Sequence, residues 1–290
     1  MPFQTTSQKV TILRGWCIPA QGKDFEVREK DAMDVTPPGV DGGELIDDIK
    51  FRVLRIPAAE AGNIIGYEYE VEERPFVLQG AWRFQSSMPS RESHYSLQLP
   101  QGWEYKVSWL NYPEAKVAQI GANQWEWVVK DIKEINYEPK MPPFKGVAGQ
   151  MIVSFFSAEG PVANNGYVDW KGLGSWYLNL VSDRLDATQP MKDEVRALTS
   201  SRPSALAKMQ AIANFVQHDV RYVAIELGIG GWQPHPAAGV FTHRYGDCKD
   251  KATLMRAMLK EIDVDSYYVL INTTREQLLR TRRLTTDLTM

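Results

Sequence analysis

Cys248 stands in the run Gly246-Asp247-Cys248-Lys249-Asp250-Lys251, directly ahead of residues whose apolar spacing is helical. A cysteine in the first turn of a helix meets free backbone N–H groups and the positive end of the helix dipole, and both favour thiolate over thiol. With Lys249 and Lys251 adding positive charge, the sequence predicts a thiol that titrates below its ordinary value of about 8.5. Such a sulfur is a nucleophile for acyl transfer. The competing reading is a small buried hydrophobe, the usual state of a lone cysteine; the flanking Gly246 and Asp247 argue against apolar burial. Asp247 and Asp250 can be read as acids serving the sulfur or as the N-cap and third residue of the helix, and their spacing favours the cap. Acyl transfer also needs a positioned base and acid. The chain's four histidines, His94, His218, His235 and His243, all precede Cys248. His235 and His243 are open to two readings, a base that approaches Cys248 in space or an imidazole bound within its own loop.

The elements that must hold this sulfur follow from periodicity. Leu254, Met255, Met258, Leu259 and Ile262 make one apolar stripe of a helix that starts at Asp247. Upstream, Pro203 suits a first helical turn, and Leu206, Met209, Ile212, Phe215 and Val216 line one face at spacings of three and four. Val220 to Ile225 and Ser266 to Ile271 read as short strands. Between them, Leu227 to Pro236 holds three glycines and two prolines and predicts an irregular loop. Its Gly228-x-Gly230 is followed three residues on by Gln233, so the dinucleotide spacing is absent and a phosphate cradle is not indicated.

Residues from about 45 to 157 alternate with period two in runs such as Ile65 to Val71, Tyr95 to Leu99, Tyr105 to Trp109 and Met151 to Phe155, which predicts an antiparallel sheet or sandwich. Trp82, Trp103, Trp109, Trp125 and Trp127 fall in this half. A Trp-x-Trp pair can be a stacking platform for a ligand, but aromatic residues are also good strand and core residues, and the second reading is the stronger. Turn chemistry from Ala158 to Gly166 places the boundary near 160, giving domains 1–160 and 161–290. The fold class expected is α+β: an antiparallel, sandwich-like β domain followed by a helical α+β domain.

Hydrophobic residues make up 43% of the 290-residue chain, enough for real cores. The net charge of -3 supplies no field for a polyanion, so no nucleic-acid partner is expected. No apolar run reaches the length of a membrane helix, and the first 30 residues lack the pattern of a signal peptide. Two cysteines make neither a disulfide scaffold nor a zinc site alone, and no metal or organic cofactor is implied.

Residues 221–256, RYVAIELGIGGWQPHPAAGVFTHRYGDCKDKATLMR, resemble the nucleophile region of bacterial transglutaminase-like proteins, in which a Gly-Asp-Cys-Lys-Asp stretch opens the helix bearing the catalytic Cys. Residues from about 20 to 157 resemble the β-rich DUF3857-type domain that precedes this core. The resemblance implies a papain-like arrangement with Cys248 as nucleophile, followed in the family by a His and an Asp or Asn on adjacent strands. No later His exists here, so the chain reads as truncated before the His and Asp and is expected to be inactive. By the same resemblance Gln233 or Trp232 is a candidate oxyanion donor. The implied activity is Cys-dependent acyl transfer or amide hydrolysis on a protein or peptide, in a periplasmic or envelope setting. The alternative is a non-catalytic scaffold whose β domain binds a partner. The sequence leaves the oligomeric state open.

Overall fold

The computed structural model describes residues 1–36, 45–158 and 169–271. Most of the turn-rich stretch around 160, and the polar residues from 273 onward, lie outside them. Strands dominate the first part: β1 (Pro2–Gln4), β2 (Gln8–Ile18), β3 (Phe25–Arg28), β4 (Met33–Val35), β5 (Leu45–Asp47), β6 (Ile49–Val53) and β7 (Ile64–Glu73). β2 pairs with β3 and β7, and β6 with β1 and β4, all antiparallel. The four strands before residue 45 escape the period-two reading because β3 and β4 are short and largely exposed, so they lack a buried alternate set. In the β2–β7 pair Trp16 faces Gly66, and a Cβ at Gly66 would sit 2.3 Å from the indole ring, so no larger residue fits.

β8 (Gln79–Arg83), β9 (Ser90–Gln98), β10 (Trp103–Leu110), β11 (Val117–Gly121), β12 (Gln124–Ile132), the short helix α1 (Phe144–Val147), β13 (Gln150–Ser157) and α2 (Trp170–Leu180) follow. They build two antiparallel sheets, ordered β10-β13-β8 and β11-β12-β9. Trp82, Trp109, Met151 and Val153 from one sheet and Leu97, Trp127 and Val129 from the other form one core. The Tyr105 ring meets Trp127 edge-on at 5.4 Å and Trp125 at 4.8 Å. The tryptophans are therefore core-forming, as strand chemistry favours, and the antiparallel sandwich expected from the alternation is present.

Helices take over in α3 (Gln189–Thr199), α4 (Ala205–His218), α5 (Ala237–His243) and α6 (Cys248–Lys260), with short strands β14 (Arg221–Tyr222), β15 (Ala224–Glu226) and β16 (Tyr245–Gly246) between them. Met191, Val195, Ile212, Phe215, Val216, Val240, Leu254 and Met258 meet in one apolar core. α4 starts two residues later than Pro203 implies, at Ala205: Ser204 is its N-cap, accepting from the Ala207 N–H, and Pro203 precedes the cap. Leu206, expected on the buried face, is exposed. Ser266 to Ile271 does not form the strand its composition predicts; it is irregular through Leu270 and pairs only at a single bridge at Ile271, and Tyr267 and Val269 are more than three-quarters exposed. β-branched and aromatic residues favour a strand only where a neighbour accepts their hydrogen bonds. No helix is long and apolar enough to cross a membrane.

Two compact units result, one from residues 1–75 and 183–267, the other from residues 76–182 and the described residues from 268. This division differs from a linear cut because β5 pairs in parallel with β15, Asp47 opposite Glu226, joining the early strands to the helical core.

Candidate active site

The site is assembled at the start of α6. The Asp247 carboxylate accepts from the backbone N–H groups of Lys249 and Asp250 at 3.1 and 3.2 Å, and the Asp250 carboxylate accepts from the Asp247 N–H at 3.2 Å. That is the reciprocal capping box, so the capping reading of both aspartates holds. It holds Cys248 in the first position of the helix, where the residue is exposed. Arg244 ends α5 in the left-handed region at φ 60° and lies 4.5 Å over both the Phe215 and Phe241 rings, which turns the chain into β16 and toward Cys248.

The two lysines do not act as their positions in sequence predict. Lys249 turns inward, 2% exposed, and its ammonium is paired with the equally buried Asp247 carboxylate. Lys251 donates instead to the Val220 carbonyl at 2.8 Å, near the end of α4. The charge expected to draw a proton off Cys248 is thus largely neutralised by Asp247 or directed elsewhere. Burial, followed by the Asp247 carboxylate, pushes the Cys248 thiol up; Lys249, its backbone N–H and the Tyr222 hydroxyl pull it down, and the upward causes prevail. The expectation of a lowered thiol is corrected on this point. The residue as a whole is exposed, yet the protein packed around its sulfur removes enough water to disfavour the thiolate. Cys17, by contrast, has no exposed surface, and its thiol lies 3.2 Å from the Ala58 carbonyl.

Tyr222 is the residue the sequence reading missed. It is hydrogen-bonded to Cys248, and burial, then the Cys248 and Asp247 charges, push its phenol up to about 12. Its place in a strand candidate just upstream of the Cys segment was legible, but not the pairing that brings it to the sulfur.

His235 is bound within the site's scaffold. Its backbone N–H and ring Nδ1 both meet the buried Asp250 carboxylate, at 2.7 and 3.1 Å, tying the loop to α6. With His243, Tyr245, Ile225 and Val240 it lines a cavity of about 250 Å³. His94 lies between Glu92 and Glu126 on the sandwich strands, and His218 ends α4. The glycine-rich loop is more ordered than its composition implies: Gly228–Gly231 form one 3-10 turn. The backbone N–H groups of Trp232 and Gln233 both return to the Ile229 carbonyl at 2.9 and 2.8 Å. An oxyanion donor from these two residues would have to be the indole N–H or the carboxamide. Among the described residues no three His, Cys, Asp or Glu side chains converge as metal ligands.

Gly246 is fixed by space. A Cβ there would lie 2.5 Å from the Asp250 Cβ. Gly246→Ala is therefore expected to displace Asp250 from its bonds to Asp247 and His235 and to cost about 1–3 kcal/mol, the range for overpacking. Denaturant midpoints of the two chains check this; an unchanged midpoint contradicts it.

Comparison with known proteins divides the chain in the same order as its elements. Residues 1–136 match DUF3857, a domain family of unknown function with solved structures, and residues 192–282 match the transglutaminase-like superfamily. A crystal structure from Parabacteroides distasonis, described as a candidate protease, superposes with a TM-score of 0.67 at 17% identity over 91% of this chain. This chain spans about half the length of that protein, with 50% of it covered. A candidate cysteine protease from Cytophaga hutchinsonii aligns over 91% of this chain and 66% of its own, at 9% identity and a TM-score of 0.26. No curated protein matches the chain.

Proposed function

We propose that this chain, which carries a DUF3857 domain followed by a transglutaminase-like core, is a papain-like cysteine enzyme module in which Cys248 is the nucleophile toward protein or peptide acyl groups. The observation that supports this most is the seat of the sulfur, exposed on the first residue of a helix whose cap is doubly hydrogen-bonded. In the reaction the sulfur bonds to the acyl carbon, the bond to the leaving group breaks, and water or an amine later displaces the sulfur from the thioester. The leaving amine needs a proton, and the thiol must first lose one. Tyr222, its phenol at about 12, keeps its proton at working pH and is not that base. Thioester formation from an activated donor is therefore expected, and amide turnover is not.

One observation favours the alternative of a non-catalytic scaffold: burial and Asp247 push the thiol up rather than down. The two readings part on a peptidyl thioester and the corresponding amide, each given to the native and Cys248→Ala chains. The module reading expects the native chain alone to cleave the thioester, and neither chain the amide. Equal cleavage by both chains removes Cys248 from the reading. Amide cleavage by the native chain, lost in His235→Ala, places the base within this chain.

A further inference from the structure

Residues 221–223 are clamped to the segment that delivers Cys248. Arg221 donates its N–H to the Arg244 carbonyl at 2.9 Å and Val223 donates to the Gly246 carbonyl at 3.1 Å, on either side of Tyr222. The parallel β14–β16 register sets Tyr222 opposite Gly246, two residues before the cysteine. The strand cannot shift without moving β16 and the cap of α6, so the phenol is delivered at a fixed place, half-open to solvent at 44% exposure. From there its hydroxyl is hydrogen-bonded to Cys248.

We propose that Tyr222 is a positioning residue of this site, its hydroxyl donating to the Cys248 sulfur and holding the thiolate where Asp247 opposes it. The proposal rests on the reading of Cys248 as nucleophile. The other charged groups that act on this pair are Asp247 and Lys249 at the start of α6 and Glu226 on β15. Two of these are carboxylates, and the one cation among them is paired with Asp247. An uncharged donor suits such a place because it stabilises a negative sulfur without adding a desolvated cation. A phenol pushed up to about 12 also keeps its proton at neutral pH, so it is available there as a donor.

The test is the pH profile of Cys248 alkylation by iodoacetamide, with Cys17→Ala as background. Tyr222→Phe keeps the ring and removes the donor. Its profile is expected to move to higher pH, with a rate about three- to tenfold lower on the rising limb, since a hydrogen bond to a charged group is lost at a partly solvated site. 3-Fluorotyrosine placed at 222, a more acidic and stronger donor, is expected to move the profile the other way. Opposite displacements by the two variants support the role. A Cys248 that alkylates normally, with the same profile in both variants, overturns the role of Tyr222 and leaves the nucleophile reading standing. A Cys248 that does not alkylate in the folded native chain overturns both.

Discussion

Asp247→Ala is expected to cost about 3–5 kcal/mol of stability, the range for breaking a buried ion pair by removing one partner. Two losses combine. The carboxylate caps α6 through the Lys249 and Asp250 N–H groups, and loss of such a cap alone costs about 1 kcal/mol. It is also the partner of an ammonium only 2% exposed, and without it Lys249 would be a buried, uncompensated charge. The two contributions separate with further variants. Asp247→Asn retains an acceptor for the cap and still strands the ammonium, so most of the loss should remain. Adding Lys249→Met to Asp247→Asn removes the stranded charge and should recover much of it, because an apolar side chain of similar length fills the same space. A double-mutant cycle from denaturant unfolding measures the coupling. If Asp247→Asn costs only a few tenths of a kcal/mol, the pair does not hold the helix start as described.

The second large effect concerns the two thiols. Cys248 is exposed and Cys17 is not, so in the folded chain alkylation is expected to be at least about 100-fold faster at Cys248; Cys17 must wait for local opening. The pH dependence has a definite sign. The thiolate is the reacting form, so below the thiol's midpoint the rate rises about tenfold per pH unit, and it levels off above that midpoint. Because burial and the Asp247 charge raise the Cys248 thiol, the levelling should come at higher pH than for a free cysteine thiol. Peptide mapping after timed alkylation at several pH values reads both the ratio and the profile. Comparable rates at the two cysteines, or a profile displaced below that of a model thiol, would contradict the environment assigned to Cys248.

What the sequence could reveal here depended on the range of the interaction. The Asp247 cap and the α6 stripe are local and were legible, because cap chemistry and helical spacing are set within a few residues. The alternation of β9, β10 and β13 likewise announced their sandwich, since Leu97, Trp109, Met151 and Val153 fall on alternate positions and meet in one core. The direction in which Lys249 points was not legible: a lysine beside a cysteine has the same spacing whether its ammonium reaches the sulfur or folds back onto the preceding aspartate. Burial of that pair reverses the expected effect on the thiol. The pairing of β5 with β15 was equally hidden, since parallel partners far apart in sequence leave no turn between them to read. Tyr222 was missed for the same reason, its contact with Cys248 depending on a two-residue parallel pairing with β16. Ser266 to Ile271 failed in the opposite direction, its residue types favouring a strand where pairing is confined to a single bridge at Ile271.

The most direct measurement of the central claim is the mass of the covalent intermediate. The native chain is exposed briefly to a peptidyl thioester, quenched in acid, weighed intact and mapped by peptide. The account predicts one acyl group per chain on Cys248, none in Cys248→Ala, and a lower yield at low pH, where the raised thiol holds its proton. Acylation spread over lysines, or an equal adduct in the native and Cys248→Ala chains, would show that the start of α6 holds a structural cysteine and not a nucleophile.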